Sequence, residues 1–365
     1  MKILFFARDP GGANVILPVY MEMKKRHSVC IFAKDFAFKR LQMEKIPVHD
    51  IEDECDTNVF EEVDAFLKTV APDALVTGTS LDDFTERYLW KASREQGIKA
   101  YAILDQWINL GIRFSRYGYG QEELYHQHME HVYLPYKVMV MDEWTKERLL
   151  MCGIQDEKII VTGQPYFDTV YHQFEEAQSK YDKECWNVVF VSEPISQDYD
   201  GGRTSDLYWG FNEKTIFACL YQAMRQFAEC HKRKVRLIIR PHPRERSDNW
   251  ENILGQVQDS SMEIVLDAKN GTFDLLKSAD LVCGMSSMFL LEAAICNKPI
   301  MSIQIGLNRD NPFILNTLGI CKSVYTEDEL YCQLEKYALQ NKVHMDFRFI
   351  ENASKRVAEV VEREV

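Results

Sequence analysis

Short apolar runs alternate with longer amphipathic segments along most of this chain, and that alternation constrains its fold more than any other feature. Runs of that length, bounded by turn residues and each followed by a helical pattern, read as strands of parallel sheets with helices on both faces. The predicted strands of the first half are Ile3 to Ala7, Val29 to Ala33, Ala74 to Thr77, Ala100 to Leu104, Val138 to Met141 and Ile159 to Val161. Those of the second half are Val188 to Ser192, Arg236 to Arg240, Ile264 to Leu266, Leu281 to Cys283 and Ile300 to Ile303. Helices are predicted over Val15 to Arg26, Phe60 to Val70, Thr145 to Cys152 and Thr215 to His231. The fold class is therefore α/β, with two doubly wound, Rossmann-like domains facing a cleft. The first is expected over 1–168 and the second over 184–344. The segment 345–365, with a helix from about Phe347 to Glu364, is expected to pack back on the first domain. A chain of 365 residues, 46% hydrophobic, is long enough for two such cores. Gln197 to Asn212, rich in Gly, Asp and aromatic residues, reads as a long loop after the first strand of the second domain.

A net charge of −13 argues against a general nucleic-acid binder, and against attachment to an anionic membrane by charge alone. A local basic or aromatic patch could still dock on an inner leaflet. The ten cysteines are scattered, with no Cys-x-x-Cys pair, and read as free thiols of a reducing compartment, the cytoplasm. The amino terminus runs straight into a strand pattern without a signal-peptide core, and no apolar stretch approaches membrane-spanning length.

Four motifs carry chemistry. In the run from Ala279 to Ser287 a strand, a hydroxyl-rich turn and a helix follow one another, which is where unpaired N–H groups and the helix dipole hold phosphates. Ser286 and Ser287 add hydroxyl donors, and Glu292, further along the helix, can accept from a ribose. Arg240-Pro241-His242-Pro243-Arg244 follows a strand, so a rigidly held His242 beside Arg240 stands at a strand end, suited to a phosphate or a leaving group. Asp9-Pro10-Gly11-Gly12 closes the first strand, and its paired glycines permit close approach of a ligand to backbone. Asp105 ends another strand and is the preferred general base for an acceptor hydroxyl, with Asp9 next after it. Near Asp105, Trp107 offers a stacking face for sugar, while Asn109 and Arg113 offer polar contacts. Ordinary turns and helix caps are the plain alternative for each motif. His126, His128 and His131 lack the spacing and the carboxylate partners of a metal site, so no metal is assigned.

The order of these motifs resembles that of bacterial GT-B glycosyltransferases of the capsule and surface-polysaccharide group. These are the His-Pro and Ser-Ser enzymes, among them sialyltransferases, Kdo transferases and glycerophosphate polymerases of teichoic-acid type. His242-Pro243 and Ser286-Ser287 match the positions that contact a cytidine nucleotide in that group, and Glu292 looks like its ribose-binding glutamate. Thr162-Gly163-Gln164-Pro165 resembles the segment that closes the first domain there. The acidic motif that supplies the sialyltransferase base is absent, the nearest text being Tyr199-Asp200-Gly201 in the second half. The resemblance implies transfer of a sugar from a nucleotide-activated donor, CMP- or CDP-linked before UDP-linked, to a saccharide or lipid-linked saccharide acceptor. No cofactor beyond that donor is implied, and the place is the cytoplasm or its membrane face. A UDP-N-acetylglucosamine 2-epimerase is similar in fold and in the glutamate spacing, and forms the second reading. A non-catalytic nucleotide-binding subunit of a glycan assembly complex is the third.

Overall fold

The structure is a computed structural model that describes residues 1–199, 208–245, 247–255, 261–339, 345 and 347–365. The chain divides into two compact units, one of residues Met1–Thr169 with Phe349–Val365 and one of residues Val170–Arg348.

The first unit holds seven strands: β1 (Lys2–Ala7), β2 (Ser28–Ala33), β3 (His49–Asp50), β4 (Ala74–Thr77), β5 (Lys99–Ile103), β6 (Lys137–Val140) and β7 (Ile159–Val161). They pair in the order β3-β2-β1-β4-β5-β6-β7, every pair parallel. β1 is buried from Ile3 to Ala7, and β4 throughout, which is why these strands read as unbroken apolar runs. The second unit holds β8 (Trp186–Val191), β9 (Val235–Arg240), β10 (Glu263–Leu266), β11 (Leu281–Gly284), β12 (Ile300–Ile303) and β13 (Ser323–Val324). Their order is β10-β9-β8-β11-β12-β13, again all parallel. In each unit the chain winds outward in one direction from its first strand and then in the other. The crevice at the carboxyl ends of β1 and β4, and its counterpart at β8 and β11, are thus the places where such sheets bind ligands.

Every strand predicted from the sequence is present to within two residues, and the helix Phe60–Val70 ends where its pattern ends. Three differences are informative. β3 and β13 have two residues each, too few to leave a periodic signal. The first helix spans Pro10–Met23 and so begins at Pro10, not at Val15, because a proline is accepted at the first helical position and the glycines continue the turn. The last helix is Ala353–Glu364, starting later than Phe347. Its Val357, Ala358, Val360 and Val361 join the core of the first unit, against the helix Pro10–Met23. Of the loop expected over 197–212, residues 200–207, including Asp200 and Gly201, lie outside the described residues, while Ile195–Tyr199 forms one short helix.

A backbone-to-backbone contact sets the geometry at the carboxyl end of this first sheet. A Cβ added to Gly78, just after β4, would lie 2.6 Å from Cα of Gly12 in the first helix turn. Gly78→Ala is expected to cost about 1–3 kcal/mol as overpacking that no rotamer can relieve, read as a lowered midpoint in thermal or urea unfolding.

Candidate active site

In the first unit the strand ends bring carboxylates together. Asp9 follows β1 with its side chain 28% exposed, and Arg8 Nη1 binds it at 3.0 Å. The Arg8 guanidinium also pairs with Asp35 at 2.7 Å and with Asp82 at 2.7 Å, so one cation steadies three carboxylates of the rim. Burial raises the proton affinity of Asp9 above the ordinary carboxylate value, against the opposing pull of Arg8 and the Ser80 hydroxyl. Asp105 follows β5 by two residues and is almost fully enclosed. Arg113 Nη1 and Thr79 Oγ1 each approach its Oδ1 at 3.4 Å, and Arg113 Nη1 also donates to Thr79 Oγ1 at 3.0 Å. Burial dominates there too and pushes the Asp105 carboxyl up, with Arg113 opposing. Gly11 makes this possible: a Cβ at 11 would stand 1.8 Å from Asp105 Oδ2, so only glycine lets the start of the first helix close over that carboxylate.

Around them lie residues that sequence reasoning did not single out. Ser80 Oγ stands 2.9 Å from Oε1 of Glu86, which is 1% exposed on the helix Thr85–Glu95. Lys34, at the end of β2, is buried with its Nζ 2.9 Å from Asp83 and 2.8 Å from Thr57 Oγ1.

In the second unit the turn after β11 is an anion-binding nest, and it is already filled. Glu193, two residues beyond β8, accepts from the Ser286 backbone N–H at 2.7 Å and the Ser286 hydroxyl at 2.9 Å. The N–H groups of Met285 and Ser287 also support it. The chain thus places its own carboxylate where the sequence predicts a phosphate, using the donors and helix dipole that a phosphate would use. Burial still leaves the Glu193 carboxyl raised. Ser287 has its own task, capping the helix Met288–Ile295 by accepting from Phe289 N–H at 3.2 Å. Glu292 is half-buried on that helix.

His242 follows β9, and its Nδ1 accepts from the Arg244 N–H at 3.1 Å, which leaves the ring proton on Nε2. Burial and the nearby Arg244 both lower its pKa, so it is a neutral N–H donor at neutral pH. Glu245 fixes the turn by accepting from His242 N–H at 2.6 Å, from Ser192 Oγ at 2.8 Å and from Trp250 Nε1 at 3.2 Å.

Several sequence expectations are corrected. Trp107 offers no stacking face: it is 5% exposed, packs on Phe167, and donates Nε1–H to Asp142 Oδ2 at 2.7 Å. Arg113 is buried as the partner of Asp105 and does not reach out to an acceptor. Arg240 Nη1 is committed to the loop after β10, donating to the carbonyls of Asp267 at 3.2 Å and Asn270 at 2.8 Å. Ser286 serves Glu193, and the nest it belongs to is not open. Gly12 is a packing residue against Gly78, while Asn109 turns the chain at φ +53° with its side chain half-buried. Glu193 had a signal, since Asp9-Pro10 after β1 and Glu193-Pro194 after β8 are the same acid-proline pair at the same place in each unit. Ser80 and Glu86 had none, because a lone serine and a glutamate in a helix are common on any surface.

Among the described residues no group of three His, Cys, Asp or Glu is disposed to hold a metal ion, and no helix is long and apolar enough to cross a membrane.

No protein-family model matches the chain, and no curated protein does. Solved structures do. The UDP-GlcNAc 2-epimerase of Methanocaldococcus jannaschii superposes with a TM-score of 0.69 at 16% identity, over 99% of this chain and 100% of that one. The Neisseria meningitidis UDP-GlcNAc 2-epimerase bound to UDP-GlcNAc gives 0.66 at 16% identity, over all of both chains. MurG of Acinetobacter baumannii gives 0.58 at 12% identity, also over all of both. At these identities the likeness establishes the fold, two Rossmann-like domains of GT-B type.

Proposed function

We propose that this GT-B-type chain is a glycosyltransferase that moves a sugar from a nucleotide-activated donor to a saccharide acceptor in surface-polysaccharide synthesis, with no metal ion. The observation that carries the reading is Asp9, a carboxylate at the β1/β4 crevice, partly open and steadied by Arg8, as a general base for an acceptor hydroxyl needs to be. Asp9 is preferred to Asp105, whose enclosure and pairing with Arg113 suit it to shape the field around Asp9. In the second unit His242 offers Nε2–H to the donor phosphate, Ser287 and Glu292 are further proposed donor contacts, and Glu193 is the group that a second phosphate would have to displace. That last feature favours a donor with one phosphate, a CMP-linked sugar, over one with two.

The full-length likeness to two UDP-GlcNAc 2-epimerases supports a second reading, epimerisation of a UDP-sugar. Calorimetry with CMP, CDP, UDP and UDP-GlcNAc, with and without magnesium, separates the two. Binding of CMP ahead of the diphosphates and without magnesium is the expected result. Tight UDP-GlcNAc binding, with a new sugar isomer seen by NMR, replaces it with the epimerase.

A further inference from the structure

With Trp107 buried, the stacking face for a sugar ring has to come from elsewhere, and the turn after β2 presents one. Of the aromatic residues within five positions after a strand of the first sheet, Phe36, Phe38, Trp107, Trp144 and Tyr166, Phe36 alone is exposed, at 62%. A single exposed aromatic is ordinary on a protein surface. This one is set apart by the turn that carries it, which is fastened to the end of β1. Lys34 N–H donates to the Ala7 carbonyl at 3.3 Å, Ala37 N–H to the Arg8 carbonyl at 2.8 Å, and Arg8 Nε–H to Asp35 Oδ2 at 2.7 Å. Those bonds hold Asp35 in the left-handed region, at φ +52°.

The helix that follows, Asp35–Met43, fixes where the ring stands. Four residues beyond Phe36, Arg40 Nη1 donates to the Pro10 carbonyl at 3.4 Å and also to Asn14 Oδ1. Residues i and i+4 share one stripe of a helix, with Cβ atoms about 5–6 Å apart. Phe36 is therefore one turn nearer the strand ends than a side chain that already reaches Pro10. Helical side chains lean toward the N-terminus of their own helix, and this helix starts at the carboxyl edge of β2, which runs parallel to β1. The ring thus projects over the rim that holds Asp9, Asp35 and Asp82, whose carboxylates stand more open to water than the Arg8 guanidinium that binds all three.

We infer that Phe36 is the stacking face for the acceptor: one face of a sugar ring lies on Phe36, while hydroxyls of that ring donate to Asp35, Asp82 and, at the hydroxyl that reacts, Asp9. The inference rests on the acceptor crevice proposed above and adds the residue that selects its ligand. The C–H groups on one face of a pyranose are apolar and slightly positive, and the face of a phenyl ring carries the negative part of its quadrupole. A ring on a fastened turn has little freedom left to lose when a sugar covers it. The ligand class is a saccharide unit with one face free of polar substituents and hydroxyls along its edge.

The test uses the full chain labelled with 4-fluorophenylalanine, the Phe36 signal being the one that Phe36→Leu removes. Methyl glucoside, methyl galactoside, methyl mannoside and N-acetylglucosamine are titrated at millimolar concentration without nucleotide. At least one is expected to shift the Phe36 signal saturably. Phe36→Leu should weaken the binding of that sugar about tenfold, read by saturation-transfer NMR, with the unfolding midpoint unchanged because the residue is exposed. Phe36→Trp should retain binding, and Met43→Ser, 77% exposed at the other end of the same helix, should leave it as in the parent. A Phe36 signal that no sugar moves, or binding that survives Phe36→Leu, overturns the inference. Transfer assays report separately, and there Phe36→Leu should raise the acceptor KM with little change in kcat. Transfer at the parent KM in Phe36→Leu keeps the glycosyltransferase reading and overturns the stacking face. Sugar binding at Phe36 without transfer in any assay keeps the stacking face and removes the glycosyltransferase reading.

Discussion

Asp9→Asn is expected to lower kcat by about 10²–10⁴-fold, the range that a positioned general base contributes, while nucleotide affinity and unfolding midpoint stay near those of the parent. The structure separates these effects. Asn has the shape of Asp, Arg8 keeps Asp35 and Asp82 at 2.7 Å each, and the site is open enough for water to replace what is lost. Asp105→Asn is the contrasting variant. Asp105 and Arg113 are both buried, so removing one charge leaves the other unpaired in a poor solvent, and the penalty falls on stability. Steady-state rates and thermal unfolding of both variants decide it. A turnover loss in Asp105→Asn with Asp9→Asn unaffected would return the base to the β5 end.

Glu193→Ala is the second large expectation. It empties a nest of backbone N–H groups and the Ser286 hydroxyl, whose unmet donors cost about 1–3 kcal/mol of stability. The same vacancy should bind an anion, so phosphate, sulfate and nucleoside diphosphates are expected to bind at least about tenfold more tightly than to the parent, worth about 1.4 kcal/mol. Phosphate at a hundredfold its dissociation constant should then restore about 2.7 kcal/mol, and melting curves against phosphate concentration read both effects at once. Equal phosphate dependence of parent and variant would mean that Glu193 does not occupy an anion site, and the preference for a one-phosphate donor would go with it.

The pH dependence of folding has a definite sign. A carboxyl raised in the folded state holds its proton where the unfolded chain has lost it, so folding weakens as pH rises from the ordinary glutamate range to the raised value. Glu86, raised to about 8, contributes to a fall in stability through that window, and Glu86→Gln should remove its share of the fall.

The two sheets were legible because strands buried on both faces have no choice but to be apolar, and Ile3 to Ala7 or Leu281 to Cys283 cannot be read otherwise. The positions of Asp9, Asp105, His242 and Ser286 at strand ends followed from the same pattern, since each stands within a few residues of where an apolar run stops. Their partners did not follow. Trp107 looked like a sugar platform because an aromatic after a strand end is as compatible with a cleft as with a core, and only packing on Phe167 and the bond to Asp142 chose the core.

The order and burial of the strands, and the places where chain polarity changes, are written in the local apolar pattern and need nothing from the rest of the fold. The pairing of groups across neighbouring strand ends came only with folding. Glu193 and Ser286 are far apart in the chain, as are Gly11 and Asp105, and hydrogen-bond reach is a matter of a few ångströms in space. Parallel pairing of β8 with β11 turned a vacant anion nest into an occupied one, and the electrostatics of the site with it.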